Sequence, residues 1–239
     1  MIEELQLLKK VHDVRAVNFS DDELTLNRKY FVELCHALIG SNLGIEWECS
    51  NGVRLDTLDT EVLDLMYRAG CRYISVGIES ASDEILSRMK KNITTKTIRE
   101  KIAMIKKSRV VPQGLFMIGF PGETEADIKK TINFARELDI DKTNFSIFMP
   151  LPGSEIFEEL ISNGEVLLDE IDWNNMKPDG VVYRNPNISP EKLKELQRSA
   201  YIKFYLRPQP IVRLLKEFIF KRGGIKALIS KIKSVFFKN

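Results

Sequence analysis

The 239-residue sequence predicts an α/β protein built around a sheet of parallel strands. Short runs of β-branched and aromatic residues alternate with longer stretches of helical periodicity, which is the pattern of repeated β–α units. The composition, 44% hydrophobic and 29% charged, is that of an ordinary folded chain that can bury one substantial core. Periodicity alone leaves open whether the sheet is doubly wound or curled into a barrel.

Five short runs predict strands, at residues 14–19, 45–49, 72–79, 110–120 and 143–149. Between them, the spacing of Tyr30, Phe31 and Leu34 predicts a helix over 27–41, and Gly70 ends a second helix over 61–69. Further helices are predicted from about 82 and about 94, and over 124–138 and 154–162. Thr124 followed by Asp127 indicates an N-cap.

Polar side chains or exposed Gly and Pro backbone follow every predicted strand. In α/β folds, functional groups gather at the carboxyl ends of the strands, so these positions are candidate site residues. A ligand with a charged end and a polar sugar suits such a rim. The five strand ends read Ser20-Asp21-Asp22, Ser50-Asn51-Gly52 with Arg54, Glu79-Ser80, Gly119-Phe120-Pro121-Gly122-Glu123-Thr124, and Pro150-Leu151-Pro152-Gly153-Ser154.

Four phrases at these ends resemble the radical S-adenosylmethionine (SAM) enzymes that usually carry an N-terminal cobalamin-binding domain. The resemblance runs from about residue 11 to 153, in the same order. The phrases are Phe-Ser-Asp-Asp-Glu-Leu-Thr at 19–25, Gly-Ile-Glu-Ser at 77–80, Gly-Leu-Phe-Met-Ile-Gly-Phe-Pro-Gly-Glu-Thr at 114–124, and Pro-Leu-Pro-Gly at 150–153.

The resemblance implies a partial (β/α)6 barrel that binds SAM and a 4Fe-4S cluster, with cobalamin as a further cofactor of the complete enzymes. It places acidic groups near the SAM amino group, two polar strand ends along the cleft, and a third strand end against the adenine. Asp21 and Asp22 match the acidic group near the amino group. Asn51 and Arg54 match one polar strand end of the cleft, and Glu79 and Ser80 match the other, which faces the ribose or methionine end. The strand against the adenine is matched by Ile118, Gly119 and Phe120. The resemblance identifies neither the substrate nor a catalytic residue.

The sequence departs from the family at the cluster loop. The family holds its cluster with a Cys-x3-Cys-x2-Cys run after the first strand, whereas the three cysteines here, Cys35, Cys49 and Cys71, are 14 and 22 residues apart. We therefore assign no metal ligand and expect no radical chemistry from this chain alone. The chain begins in a segment like the first barrel helix, so a missing first strand is expected to leave the 14–19 strand open to self-association.

Residues 1–163 are predicted to form the truncated barrel, and 164–239 an irregular segment followed by a helical, basic tail. Residues 207–239 carry a net charge of about +8, which is not the pattern of a nucleic-acid-binding face. The amphipathic helix near the end favours either peripheral contact of 211–239 with an anionic membrane or packing on protein. With no signal peptide and no span of roughly 18 apolar residues, a cytoplasmic location is expected.

Two other functions stay open at this point. The chain could be a non-catalytic remnant or binding module that acts through its tail. It could also be an unrelated α/β-barrel enzyme that uses Asp22 and Glu79 as acid and base, which would work without iron or SAM. Asp21 and Asp22 also have a purely structural reading, because Asp near a helix start satisfies free amides.

Overall fold

The computed structural model describes residues 1–21, 23–173, 177 and 179–207, apart from the side chain of Glu170. Five strands are formed: β1 (Ala16–Phe19), β2 (Glu46–Val53), β3 (Cys71–Glu79), β4 (Val111–Ile118) and β5 (Lys142–Ile147). The helices are α1 (Ile2–His12), α2 (Arg28–Gly40), α3 (Thr60–Arg68), α4 (Asp83–Arg88), α5 (Thr95–Lys107), α6 (Glu125–Glu137), α7 (Glu155–Ser162) and α8 (Pro190–Tyr205), with 3-10 turns at Leu55–Thr57 and Leu168–Glu170.

All five predicted strands and the helices between them are confirmed, with shifts at their ends. The largest shift is at β2, which continues to Val53 because Val53 pairs with Val76 of β3 after an irregularity in the pairing over Ser50-Asn51-Gly52. β4 ends at Ile118, because Gly119 then turns with a φ of 80°.

Helix starts follow the local sequence closely. In seven helices a side-chain oxygen accepts a hydrogen bond from an amide in the first turn, which satisfies one of the free donors there. The Thr124 and Asp127 pair completes a capping box at α6, as predicted. The seven capping residues are Asn27, Asp59, Ser82, Thr94, Thr124, Ser154 and Ser189.

The strands form one parallel sheet in the order β1-β2-β3-β4-β5, curled into a half-barrel. The predicted partial barrel is therefore confirmed. Its hydrophobic core lies between the sheet and the surrounding helices, where Ile74, Val76 and Ile78 of β3 are fully buried. Alternate residues point to the other face of the sheet, so the concave side is left to the polar and cavity-lining residues.

Helix α8 covers the edge of β5. The Tyr201 hydroxyl accepts from Phe145 N at 3.0 Å, the Tyr205 hydroxyl donates to Thr143 O at 3.2 Å, and Gln197 Nε2 donates to Phe145 O at 2.7 Å. The adjacent face of α8 adds Leu193, Leu196, Ala200 and Phe204 to the main core. The helix expected in the C-terminal extension thus packs directly on the barrel.

At the opposite edge of the sheet, no strand of the described residues pairs with the outer side of β1. Self-association through this edge stays a prediction. The amphipathic tail expected at 211–239 lies outside the described residues. Within the part of the chain that the structure describes, no helix is long and apolar enough to cross a membrane.

Candidate functional site

Two adjoining cavities lie at the carboxyl ends of the strands. One, of about 230 Å³, has polar and apolar surface in similar amounts, and we call it the polar cavity because charged side chains after β2 and at Glu79 and Lys91 lie in its wall. The other, of about 360 Å³, is mainly apolar and is lined by residues after β3, β4 and β5. Glu79, Lys90 and Lys91 line both cavities, so these three residues form the ridge between them.

Glu79 is placed at this ridge by an irregular strand end. Its φ is 63°, in the left-handed region that few non-glycine residues adopt, and the pairing of β3 with β4 shifts register between Gly77 and Glu79. The turn folds the carboxylate back over Gly77, where a Cβ atom would lie 2.9 Å from Glu79 Oε1. Such strain is found where surrounding structure fixes a functional conformation.

Lys91 is the charged partner of Glu79. Its Nζ lies 2.8 Å from Glu79 Oε1, with the glutamate side chain 14% exposed and the lysine side chain 41% exposed. The ammonium therefore keeps open directions toward the polar cavity, while one donor holds the carboxylate. A partly open Lys–Glu pair offers both a cation and an acceptor to one ligand.

The polar cavity contains both residues predicted there. Asn51 Nδ2 donates to Ser20 O at 2.7 Å and so ties the ends of β1 and β2 together. Arg54 forms an ion pair with Asp56 at 2.6 Å and reaches Glu23 at 4.0 Å. The guanidinium is thus already neutralised by carboxylates, which makes Arg54 a part of the wall more than a free anion-binding group.

The apolar cavity is built on aromatic contacts. Phe120 and Phe148 meet edge to face with ring centroids 5.1 Å apart, and Tyr183 packs against Phe148 at 5.6 Å. Asn185 Nδ2 donates to the carbonyls of Phe120 at 3.1 Å and Glu123 at 3.2 Å. The segment after α7 therefore fixes the loop that carries Phe120.

Glu123, to which sequence reasoning gave no role of its own, holds the same loop from within. Its fully buried Oε2 accepts the amides of Gly119 at 2.6 Å and Phe120 at 3.2 Å. Burial raises the pKa of this carboxyl to about 7, although the two amides act in the opposite direction. The buried Oε1 has no hydrogen-bond partner among the described residues. The signal in the sequence was an acid in a turn immediately after a buried strand.

The other predicted residues are placed differently. The Ser80 side chain is buried against α6, 3.4 Å from Thr131 Oγ1, and Ile118 is buried in the core on the helix side of β4. Neither lines the two cavities; Met117, the neighbour of Ile118, lines the apolar one. Asp21 is exposed after β1, whereas Asp22 lies outside the described residues.

Gly119, predicted to let backbone approach the adenine, leads from β4 into the turn. A Cβ atom there would lie 2.8 Å from a methyl group of Leu193, so the side-chain direction points toward α8. Its amide is already bonded to Glu123. Of the three predicted adenine contacts, only Phe120 therefore presents its side chain to the apolar cavity.

The cysteines do not fit an iron–sulfur cluster. Cys35, Cys49 and Cys71 are all buried, on α2, β2 and β3, in the layer between sheet and helices. Burial raises the pKa of each thiol, to about 12 for Cys35, which opposes the thiolate form that a cluster requires. No group of three His, Cys, Asp or Glu side chains among the described residues is placed to hold a metal ion.

A family model described as the radical SAM superfamily matches residues 1–135. The chain belongs to this superfamily. It is 35% identical over 226 residues to an uncharacterized methyltransferase of Pyrococcus horikoshii, a match that covers 93% of this chain and 48% of that protein. It is 31% identical over 185 residues to an anaerobic magnesium-protoporphyrin IX monomethyl ester cyclase of Rubrivivax gelatinosus, covering 76% of this chain and 33% of the cyclase.

Similar folds are found among solved structures of radical SAM proteins. The methyltransferase TsrM of Kitasatospora setae, solved with cobalamin and a 4Fe-4S cluster, has a TM-score of 0.62 at 18% identity, over 82% of this chain and 40% of that one. Its structure with tryptophan and a SAM analogue gives a TM-score of 0.64 at 17% identity, over 87% and 46% of the two chains. This chain thus spans less than half of the length of these relatives.

Proposed function

We propose that this chain forms the SAM-binding part of a barrel from the cobalamin-associated radical SAM enzymes. The observation that carries the proposal is the pair of adjoining cavities joined at the Glu79–Lys91 ridge. SAM has a charged amino-acid end, a ribose and a flat aromatic base, in that order. A polar cavity, a carboxylate ridge and an apolar cavity follow in the same order across the rim.

Three parts of SAM have a matching group. The Lys91 ammonium binds the carboxylate of the methionine end in the polar cavity, beside Asn51. The Glu79 carboxylate accepts hydrogen bonds from the ribose hydroxyls, and the adenine stacks in the apolar cavity on Phe120 near Met117. In this superfamily, SAM supplies a 5′-deoxyadenosyl radical after reduction by the cluster.

The chain alone is proposed not to carry out that cleavage. Its cysteines are buried, protonated and spread over three elements, so no open cluster can form on them. Cleavage of SAM at this site would need cluster ligands other than these three cysteines. Release of 5′-deoxyadenosine by the purified chain after iron–sulfur reconstitution and reduction would contradict this part of the proposal.

The SAM site is tested by calorimetric titration of SAM into the wild-type chain and three variants. Glu79→Ala and Lys91→Met are expected to weaken binding by at least about ten-fold, since each removes a charge-assisted contact. Lys129→Met is the matched control, because Lys129 forms an exposed pair with Glu125 at the same 2.8 Å distance on α6. SAM binding that is unchanged in Lys91→Met would overturn the assignment. No binding to the wild type would instead favour a non-catalytic binding module.

A further inference from the structure

Arg88 is held at the apolar cavity without help from a carboxylate. It ends α4, and its Nη1 donates to Pro121 O at 2.6 Å. The guanidinium carbon lies 5.7 Å from the centroid of the Phe120 ring. Gly122 has a φ of 80°, and a Cβ atom there would collide with Arg88 Nη1. The loop after β4 is therefore shaped around this guanidinium.

The other basic side chains that line this cavity form ion pairs with glutamates. Lys90 lies 2.5 Å from Glu155, and Lys91 is paired with Glu79. Among the described residues that line the cavity, Arg88 is the cation for which no carboxylate lies within ion-pair distance. Arginine presents five donors, and the Pro121 carbonyl occupies only part of that capacity.

The remaining wall is mostly apolar and adaptable. It is lined by Met89, Met117, Met149, Phe148, Leu151 and Ile156. Methionine side chains are unbranched and polarizable, so a wall rich in them accommodates flat or irregular apolar groups. This cavity is also the larger of the two, at about 360 Å³ against 230 Å³, and a purine base fills only part of it.

We propose that the substrate of this site carries an acidic group on an apolar body, and that Arg88 binds the acidic group while the body enters the apolar cavity. The inference rests on the proposed function, because it gives the space beside the adenine to the molecule on which the radical acts. A carboxylate, a phosphate and a sulfonate are all anions whose oxygens can accept hydrogen bonds from the free guanidinium donors.

The test compares probes that share one apolar body and differ in charge. 2-Naphthoate, 2-naphthalenemethanol and 2-naphthylmethylamine are titrated into the wild-type chain and into Arg88→Met, Arg88→Lys and Arg198→Met, with binding followed by ligand-observed NMR. Arg198 is an exposed arginine on α8 and serves as the control. The titrations are run first without SAM and then at saturating SAM.

We expect the wild type and Arg198→Met to bind naphthoate at least about ten-fold more tightly than the alcohol, as one charge-assisted contact contributes. Arg88→Met removes this difference, and Arg88→Lys keeps part of it. Three outcomes would overturn the proposal. They are equal binding of the acid and the alcohol, tighter binding of the amine through Glu159 of the same cavity, and complete displacement of naphthoate by SAM. The SAM-free titrations stand even where SAM fails to bind, so the two proposals fail separately.

Discussion

Glu79 shows how a single residue shapes the rim of this half-barrel. Its left-handed backbone turns the carboxylate over Gly77 and directs the next side chain, Ser80, into the interface with α6. The same turn brings the carboxylate to Lys91. Without it, alternation along β3 would have continued regularly, and the ridge between the two cavities would lack its acid.

Glu123 gives the first prediction at this scale, a dependence of stability on pH. Because its pKa is raised from 4.5 to about 7, the folded chain holds a proton between these values that the unfolded chain releases. The free energy of unfolding should therefore fall as pH rises from about 4.5 to 7, by about 3 kcal/mol, and level off above. Oε1 carries this proton, because Oε2 accepts two amides.

Urea unfolding of the wild type and Glu123→Gln at pH 5 and pH 8 measures this effect. The glutamine is neutral at both pH values, so the variant should lose less stability than the wild type between them. Glu125→Gln serves as a control, because Glu125 lies in exposed pairs with Lys129 and Lys192 in the first turn of α6. Equal pH dependence in the wild type and Glu123→Gln would contradict the assignment.

The residue scale also shows where sequence reasoning reached its limit. Strand-end polarity pointed to Glu79, Asn51 and Arg54, and the structure places all three in the wall of the polar cavity. It could not give the face on which Ile118 lies, because β4 has apolar residues on both faces and a one-residue shift moves a side chain to the other side. Met117, the residue before Ile118 on β4, lies on the other face and lines the cavity.

At the scale of elements, α8 replaces a neighbouring strand for β5. Tyr201 donates to Asn144 Oδ1 at 2.5 Å and accepts from Phe145 N at 3.0 Å, which satisfies backbone that would otherwise face solvent or another strand. Ser189 and Pro190 begin this helix as N-cap and first residue, an arrangement that helix starts favour. Its docking site was not predictable, because helical periodicity identifies an apolar face and not its partner.

Removal of the Tyr201 hydroxyl should destabilise the chain. Tyr201→Phe leaves the Phe145 amide without this acceptor, and we expect the free energy of unfolding to fall by about 1–3 kcal/mol. Tyr30→Phe is the matched control, since Tyr30 is 50% exposed on α2 and should change stability by less than about 0.5 kcal/mol. Urea denaturation of both variants measures the two changes in the free energy of unfolding. Equal unfolding midpoints for Tyr201→Phe and Tyr30→Phe would show that α8 covers the strand edge without stabilising it.

For the whole molecule, the curl of the sheet produces the site. The core fills the space between sheet and helices, which leaves the concave rim free to hold polar groups at one end and aromatic groups at the other. The alternation of strand and helix patterns along the sequence predicted the parallel sheet. The twist of the strands and the curling of the sheet depend on packing that hydrophobic periodicity does not encode. The resemblance of the strand-end phrases supplied the partial barrel, which the structure confirms.

The most direct test of SAM binding across the two cavities is methionine-methyl NMR of the intact chain, which has seven methionines. Met117 and Met149 line the apolar cavity, whereas Met66 of α3 is fully buried and Met104 lines a separate cavity between α3 and α5. We expect added SAM to shift the methyl signals of Met117 and Met149 and to leave those of Met66 and Met104 in place. Saturating SAM that moves none of the cavity signals, or moves Met104 alone, would contradict the account.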